Sequence, residues 1–277
     1  MIPILAKTGK RVIAPDLIGF GFSEKVKLHE HSLEAHSKWM AKFFSTIKEE
    51  KIGLVVHDWG GMIGIAGAMK AGKKIDGWVV MNTAITAPKD GFKPTWFHSL
   101  SQVPLISSFL FRGLNFPLSF LNRFASVPGS FDSQTMKAYK YPLRKFKDNC
   151  GPLALARMVP NSMNHPSVPM EEEIEKYLGS YDGPAQIVWG MNDPVMWKLR
   201  RRTARLLPQA KVVKTQAGHF VQEETPAEVI AAIKIAMIDV SPTEPGMFPE
   251  NASNQLNLSV SPGTPLSAAT PKGVAPE

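Results

Sequence analysis

Ile52-Gly53-Leu54-Val55-Val56-His57-Asp58-Trp59-Gly60-Gly61 decides the fold. Its first five residues form a short, nearly continuous apolar run, as in a parallel strand covered on both faces. The run stops at His57-Asp58, and Gly60 to Met69 follows, rich in Gly and Ala. Such a composition suits a helix packed closely on a sheet. Small residues beside Asp58 allow a sharp strand-to-helix turn, which lifts the central side chain above the carboxyl end of the strand. There it meets the oriented N–H groups of a helix start.

Working outward, strands and helices alternate. Arg11-Val12-Ile13-Ala14-Pro15-Asp16 reads as a buried strand and Gly19 to Ser23 as a turn. Trp39, Met40, Phe43, Phe44 and Ile47 fall at helical spacing within 33–48. Further strands are expected at 78–81, 186–189 and 211–214, with helices at 198–207 and 226–237. This alternation predicts an α/β doubly wound, mostly parallel sheet with right-handed crossovers. Residues 1–87 and 182–240 are assigned to that core. Residues 88–181, whose Phe, Leu and Met recur at helical spacing, are assigned to an inserted helical cap. Residues 241–277 hold 7 of the 23 prolines and one basic residue, Lys272. They read as a disordered tail.

Composition narrows the function. The 277 residues are 44% hydrophobic and 20% charged, enough to bury a core without staples. With Cys150 the one cysteine, no disulfide framework or cysteine-based zinc site is expected within the chain. The net charge of +8 raises nucleic acid as a partner. However, the basic residues are scattered, and the run Lys198, Arg200, Arg201, Arg202 and Arg205 reads as a solvated helix face. The apolar stretch 103–124 is broken by Pro104, Arg112 and Pro117, so it is no membrane span. No signal peptide is read at the N-terminus. A cytoplasmic protein is expected, the sequons at Asn251 and Asn257 mattering only after secretion.

Three residues capable of chemistry follow three strand ends: Asp58, then Asp193 in Trp189-Gly190-Met191-Asn192-Asp193-Pro194, then His219 in Ala217-Gly218-His219. Nucleophile, acid and histidine in that order is the chain order of α/β-hydrolases. Strand carboxyl ends are where open α/β sheets bind ligands. A carboxylate needs no deprotonation before it attacks, and displacement at an sp³ carbon would leave an alkyl ester on the enzyme. The blander readings are a helix cap for Asp58, a satisfied structural histidine for His219, a turn for Asp193-Pro194 and packing for Trp59. His57 is read as orienting the turn.

Pro15-Asp16-Leu17-Ile18-Gly19-Phe20-Gly21-Phe22-Ser23, Val55 to Gly61, and Gly218-His219-Phe220-Val221-Gln222-Glu223 together resemble the haloalkane dehalogenases of the α/β-hydrolase superfamily. The resemblance covers nearly all of residues 1–240. It implies Asp58 as nucleophile, His219 as base and Asp193 as acid. Some branches place the acid after the preceding strand, where this chain has Asn82-Thr83-Ala84. Small haloalkanes and water would be the partners, with no metal or organic cofactor. Oligomeric state stays open. Trp59, whose indole only donates, would hold the departing halide. The family's second donor is an Asn in a His-Gly-Asn-Pro loop or a Trp in the cap. The chain contains no His-Gly-Asn-Pro, and Phe124 stands where the cap Trp would fall.

The resemblance also places Met1-Ile2-Pro3-Ile4-Leu5 just after that loop. The sequence thus reads as N-terminally truncated, lacking the first strands, and is expected to fold poorly and turn over weakly. Epoxide hydrolases share the Asp-Trp-Gly elbow and use cap tyrosines as acids. Tyr177 and Tyr181 share a helical face, though packing accounts for them too. That activity and a non-catalytic relative remain as alternatives.

Overall fold

In the computed structural model, residues 1–89 and 91–238 are described. The elements run α1 (Ile2–Ala6), α2 (Leu33–Thr46), β1 (Lys51–His57), α3 (Trp59–Ala71) and β2 (Lys74–Met81). Five helices follow: α4 (Trp96–Ser101), α5 (Phe116–Phe124), α6 (Ser133–Lys140), α7 (Cys150–Met158) and α8 (Val168–Gly179). The chain then forms β3 (Ala185–Gly190), α9 (Arg200–Leu206), β4 (Lys211–Thr215), α10 (Val221–Glu224) and α11 (Pro226–Met237). The tail assigned to 241–277 lies outside the described residues.

The four strands make one parallel sheet in the order β1-β2-β3-β4. Alternate residues of a strand face opposite sides, and the core divides accordingly. Trp78, Val80, Ile187 and Trp189 join α2, α3 and α8 in one cluster. Val79, Met81 and Val188 join α11 in the other. Helices therefore cover both faces. Glycines let two of them approach closely. A side chain at Gly67 would strike Met40 of α2, and one at Gly77 would strike the Ala236 carbonyl of α11.

Between β2 and β3 the described residues are helical or irregular, with no strand. Within them Phe97, Phe111, Phe116 and Phe120 stack into an aromatic core. The last helix of the insert, α8, buries Ile174 and Leu178 in the sheet's own core, so it packs as part of the sheet layer.

Residues 11–16 form no strand, which corrects the sequence expectation. The segment pairs with no strand of the sheet, and local bonds hold its end elsewhere. The Asp16 carboxylate accepts the Phe22 N–H at 2.9 Å, and the Asp16 carbonyl accepts the Ser23 hydroxyl at 2.7 Å. Val12 instead packs with Leu5 and Met1 against the cluster beneath α11.

Candidate active site

The β1–α3 junction is strained at one residue. Asp58 has φ 46° and ψ −132°, a left-handed conformation that costs a non-glycine residue of order 1–3 kcal/mol. Neighbours hold it there. The Asp58 N–H donates to the Asn82 carbonyl at 3.1 Å, and the Thr83 hydroxyl donates to the Asp58 carbonyl at 2.6 Å. Gly61 leaves room for Thr83, whose hydroxyl a side chain there would strike. Asp58 occupies the N-cap position of α3, yet its side chain makes no capping bond. Among the described residues its carboxylate accepts no hydrogen bond, although it sits at the helix start, where the first N–H groups lack helical partners.

The loop after β4 brings up His219, 4% exposed, against Asp193, 1% exposed, from the loop after β3. His219 Nδ1–H donates to Asp193 Oδ2 at 2.9 Å, which leaves Nε2 as the ring's other nitrogen. Each oxygen of Asp193 takes two donors. Oδ2 also accepts Asn82 Nδ2–H at 2.8 Å, and Oδ1 accepts the Val195 and Met196 N–H groups at 2.7 and 3.1 Å. Burial by itself would raise the Asp193 carboxyl, but the bonds and charge of His219, then Asn82 and the Val195 N–H, hold it below its ordinary value. Burial would lower His219, but Asp193 and the charge of Asp58 together hold it above 6.5. The two shifts agree in sense: the dry pair favours its charged form.

His219 and Asp193 are thus joined by a hydrogen bond, and the charge of Asp58 acts on His219. His57 donates from Nε2 to the His219 carbonyl at 2.7 Å. Burial and then the charge of His219 push its own imidazole down to about 4, so it is neutral. Its bond ties the elbow to the histidine loop, a contact beyond the orienting of the turn expected of it. Trp59 is half-buried against the core, and its indole N–H meets no acceptor among the described residues. Phe124 is 63% exposed, its ring on Phe120 at 5.1 Å and beside the Arg123 guanidinium. The next residue, Ala125, is buried, and its carbonyl accepts the His219 N–H.

Two residues were not singled out as functional from sequence. Asn82 stands out in the sequence only for lacking a carboxylate, and in the fold it anchors Asp193, the carboxylate that replaces it. His98, on α4, carries no motif signal. Burial lowers its imidazole while the Asp58 charge acts to raise it, so the insert delivers a second histidine within electrostatic reach of Asp58.

The tyrosines are occupied elsewhere. Tyr139 donates to Glu223 at 2.7 Å and Tyr181 to the Pro184 carbonyl at 3.2 Å. Tyr177 packs against the core, and Tyr141 lies on the surface under Arg144. No group of three or more His, Cys, Asp or Glu residues that could hold a metal ion occurs among the described residues. Nor is any described helix long and apolar enough to cross a membrane.

A family model for the alpha/beta hydrolase fold matches residues 1–226. The chain belongs to the α/β-hydrolase family. Within that family, haloalkane dehalogenase 1 of Mycobacterium tuberculosis is 30% identical to this α/β-hydrolase over 234 residues, 83% of this chain and 75% of the relative. The cis-3-alkyl-4-alkyloxetan-2-one decarboxylase of Shewanella oneidensis is 26% identical over 84% of the chain and 75% of its own length. Among solved structures, the tetrameric haloalkane dehalogenase DpaA of Paraglaciecola agarilytica NO2 shares the fold with a TM-score of 0.71. It is 21% identical, over 86% of this chain and 78% of its own. The resemblance to haloalkane dehalogenases drawn from the motifs is therefore borne out for this α/β-hydrolase.

Proposed function

We propose that this α/β-hydrolase cleaves carbon–halogen bonds of small haloalkanes through an ester on Asp58. The free Asp58 carboxylate, held at a strained elbow beside the His219–Asp193 pair, carries this reading. Asp58 attacks the halogen-bearing carbon from the side opposite the halogen. A C–O bond forms, and the halide leaves with the bonding electron pair. The unengaged indole N–H of Trp59 meets the charge growing on the halide. Phe124 stands one residue from the Ala125–His219 contact. Its hydrocarbon ring can wall the mouth of the site but donates nothing.

Esterification removes the Asp58 charge, one of the charges holding His219 up. His219 then gives up its proton more readily and stands neutral when a base is needed. It takes a proton from water, and the hydroxide attacks the ester carbonyl. The alcohol departs, Asp58 is restored, and one proton is released with each halide. Asp193 keeps the Nδ1–H tautomer that leaves Nε2 free to act.

The test uses 1,2-dibromoethane and 1-bromobutane with the wild-type chain, Asp58→Asn and His219→Gln. The wild type should release halide, and Asp58→Asn should release none. Turnover of His219→Gln should fall about 10²- to 10⁴-fold, the usual worth of a general base. That variant should also gain the mass of one alkyl group on Asp58. Halide release by Asp58→Asn at the wild-type rate would sink the covalent route. Hydrolysis of styrene oxide without halide release would favour the epoxide reading instead.

A further inference from the structure

A cleft of about 310 Å³ lies away from Asp58, Asp193 and His219. Lys25, Lys27, Arg112 and Lys147 line it, with Val26 and Leu28 as apolar wall. Three separate stretches of chain converge to put these four cations there, and no carboxylate lines the cleft. Some cations elsewhere are paired, as in Lys74–Glu50 at 2.7 Å and Lys38–Glu34 at 3.2 Å. Among the described residues none of the four makes an ion pair.

Two of the four are fixed in place. Lys25 Nζ donates to the carbonyls of Phe20, Gly21 and Ser23 at 3.2, 2.6 and 2.9 Å. The Arg112 guanidinium lies over the Phe146 ring at 4.0 Å, and its Nε is buried with no acceptor. Its charge reaches Arg157, which burial lowers first and Arg112 lowers further. Glu30 is tied to the Lys27 N–H at 2.7 Å, and Asp148 follows Lys147 in sequence. Neither of these carboxylates lines the cleft.

Four cations line one cleft, and no carboxylate is among its lining residues. We propose that the cleft is a binding site for a compact dianion of the phosphate monoester class. A guanidinium fork matches phosphate oxygens in pairs, and ammonium groups add point charges around them. Val26 and Leu28 leave room for a short organic substituent. A soluble phosphate ester and a phospholipid headgroup offer the same chemistry.

Calorimetric titration with inorganic pyrophosphate and butyl phosphate, at fixed ionic strength, tests the site. One saturable site per chain is expected. Binding should weaken at least tenfold in Lys147→Gln and Arg112→Gln and stay unchanged in Lys51→Gln, whose lysine lies on β1. Lys147 is exposed, so its variant keeps the test valid if Arg112→Gln misfolds. Pelleting with phosphatidic acid vesicles, lost in Lys147→Gln, would support the site and make a headgroup its source. Absence of saturable heat would overturn the proposal. So would equal weakening in Lys51→Gln, which marks diffuse charge attraction.

Discussion

Asn82 carries no charge, yet it joins the ends of two strands and the Asp193 carboxylate. It is fully buried. Its amide donates to Asp193 Oδ2 and to the Gly190 carbonyl, while its own oxygen accepts the Gly190 N–H at 2.8 Å. Asn82→Ala removes a hydrogen bond to a buried carboxylate, worth about 1.5–3 kcal/mol. The proposed second half-reaction depends on Asp193 holding His219, so steady-state turnover should fall roughly ten- to hundredfold. The first-turnover burst of halide should persist, because alkylation needs Asp58 and not the base. Rapid-quench halide assays separate the two. Equal loss of burst and steady-state rate would place Asn82 in the folding of the elbow instead. The sequence marked this position through what it lacks, because the geometry that makes an amide useful there spans 111 residues.

At the scale of elements, periodicity was a sound guide wherever a segment had neighbours to pair with. The helix expected at 226–237 is α11, and the strand expected at 52–56 is β1 with one residue added at each end. The strand expected at 11–16 fails for a tertiary reason. Its β-branched run is locally suitable, but β-propensity expresses packing against neighbours more than a backbone preference. Helix-on-sheet contacts depend on glycines whose importance is invisible in one dimension. Gly77→Ala would push α11 off β2 at the Ala236 carbonyl, a backbone atom that cannot swing aside. The expected loss is about 1–3 kcal/mol, as for overpacking in general. Denaturant titration of this variant beside Gly129→Ala checks it. Gly129 has open space around it but a φ of +85°, so its cost is backbone strain alone. Equal m-values with a lower midpoint for Gly77→Ala would place the effect in packing.

For the molecule as a whole, two buried groups make stability depend on pH with opposite signs. Burial raises the Glu171 carboxyl from 4.5 to about 8. The folded state keeps this proton while the unfolded chain loses it. The group's contribution is therefore full below about 4.5 and lost as pH rises toward about 8. His36 is pushed from 6.5 down to about 4 by burial and then by His31, whose Nδ1 lies 2.9 Å from its Nε2. Its contribution is full above about 6.5 and lost as pH falls toward about 4. Glu171→Gln should gain on the wild type by up to about 1.4 kcal/mol per pH unit between these limits. Urea midpoints at pH 5, 6, 7 and 8 measure it. A constant offset between the curves would mean that Glu171 ionises normally in the folded chain.

The α/β alternation, the order of Asp58, Asp193 and His219, and their placement after strand ends are legible in the linear chain. Each of these rests on local spacing, which a strand or helix imposes within a few residues. Only the tertiary structure decided that the Asp58 carboxylate caps nothing and stays free, and that Asn82 secures Asp193. It also emerges only there that 11–16 stays out of the sheet, that His98 feels the charge of Asp58, and that four scattered cations share one cleft. Those outcomes depend on which distant segments meet. Contacts between residues a hundred positions apart are set by the packing of the whole chain, and no local pattern records them.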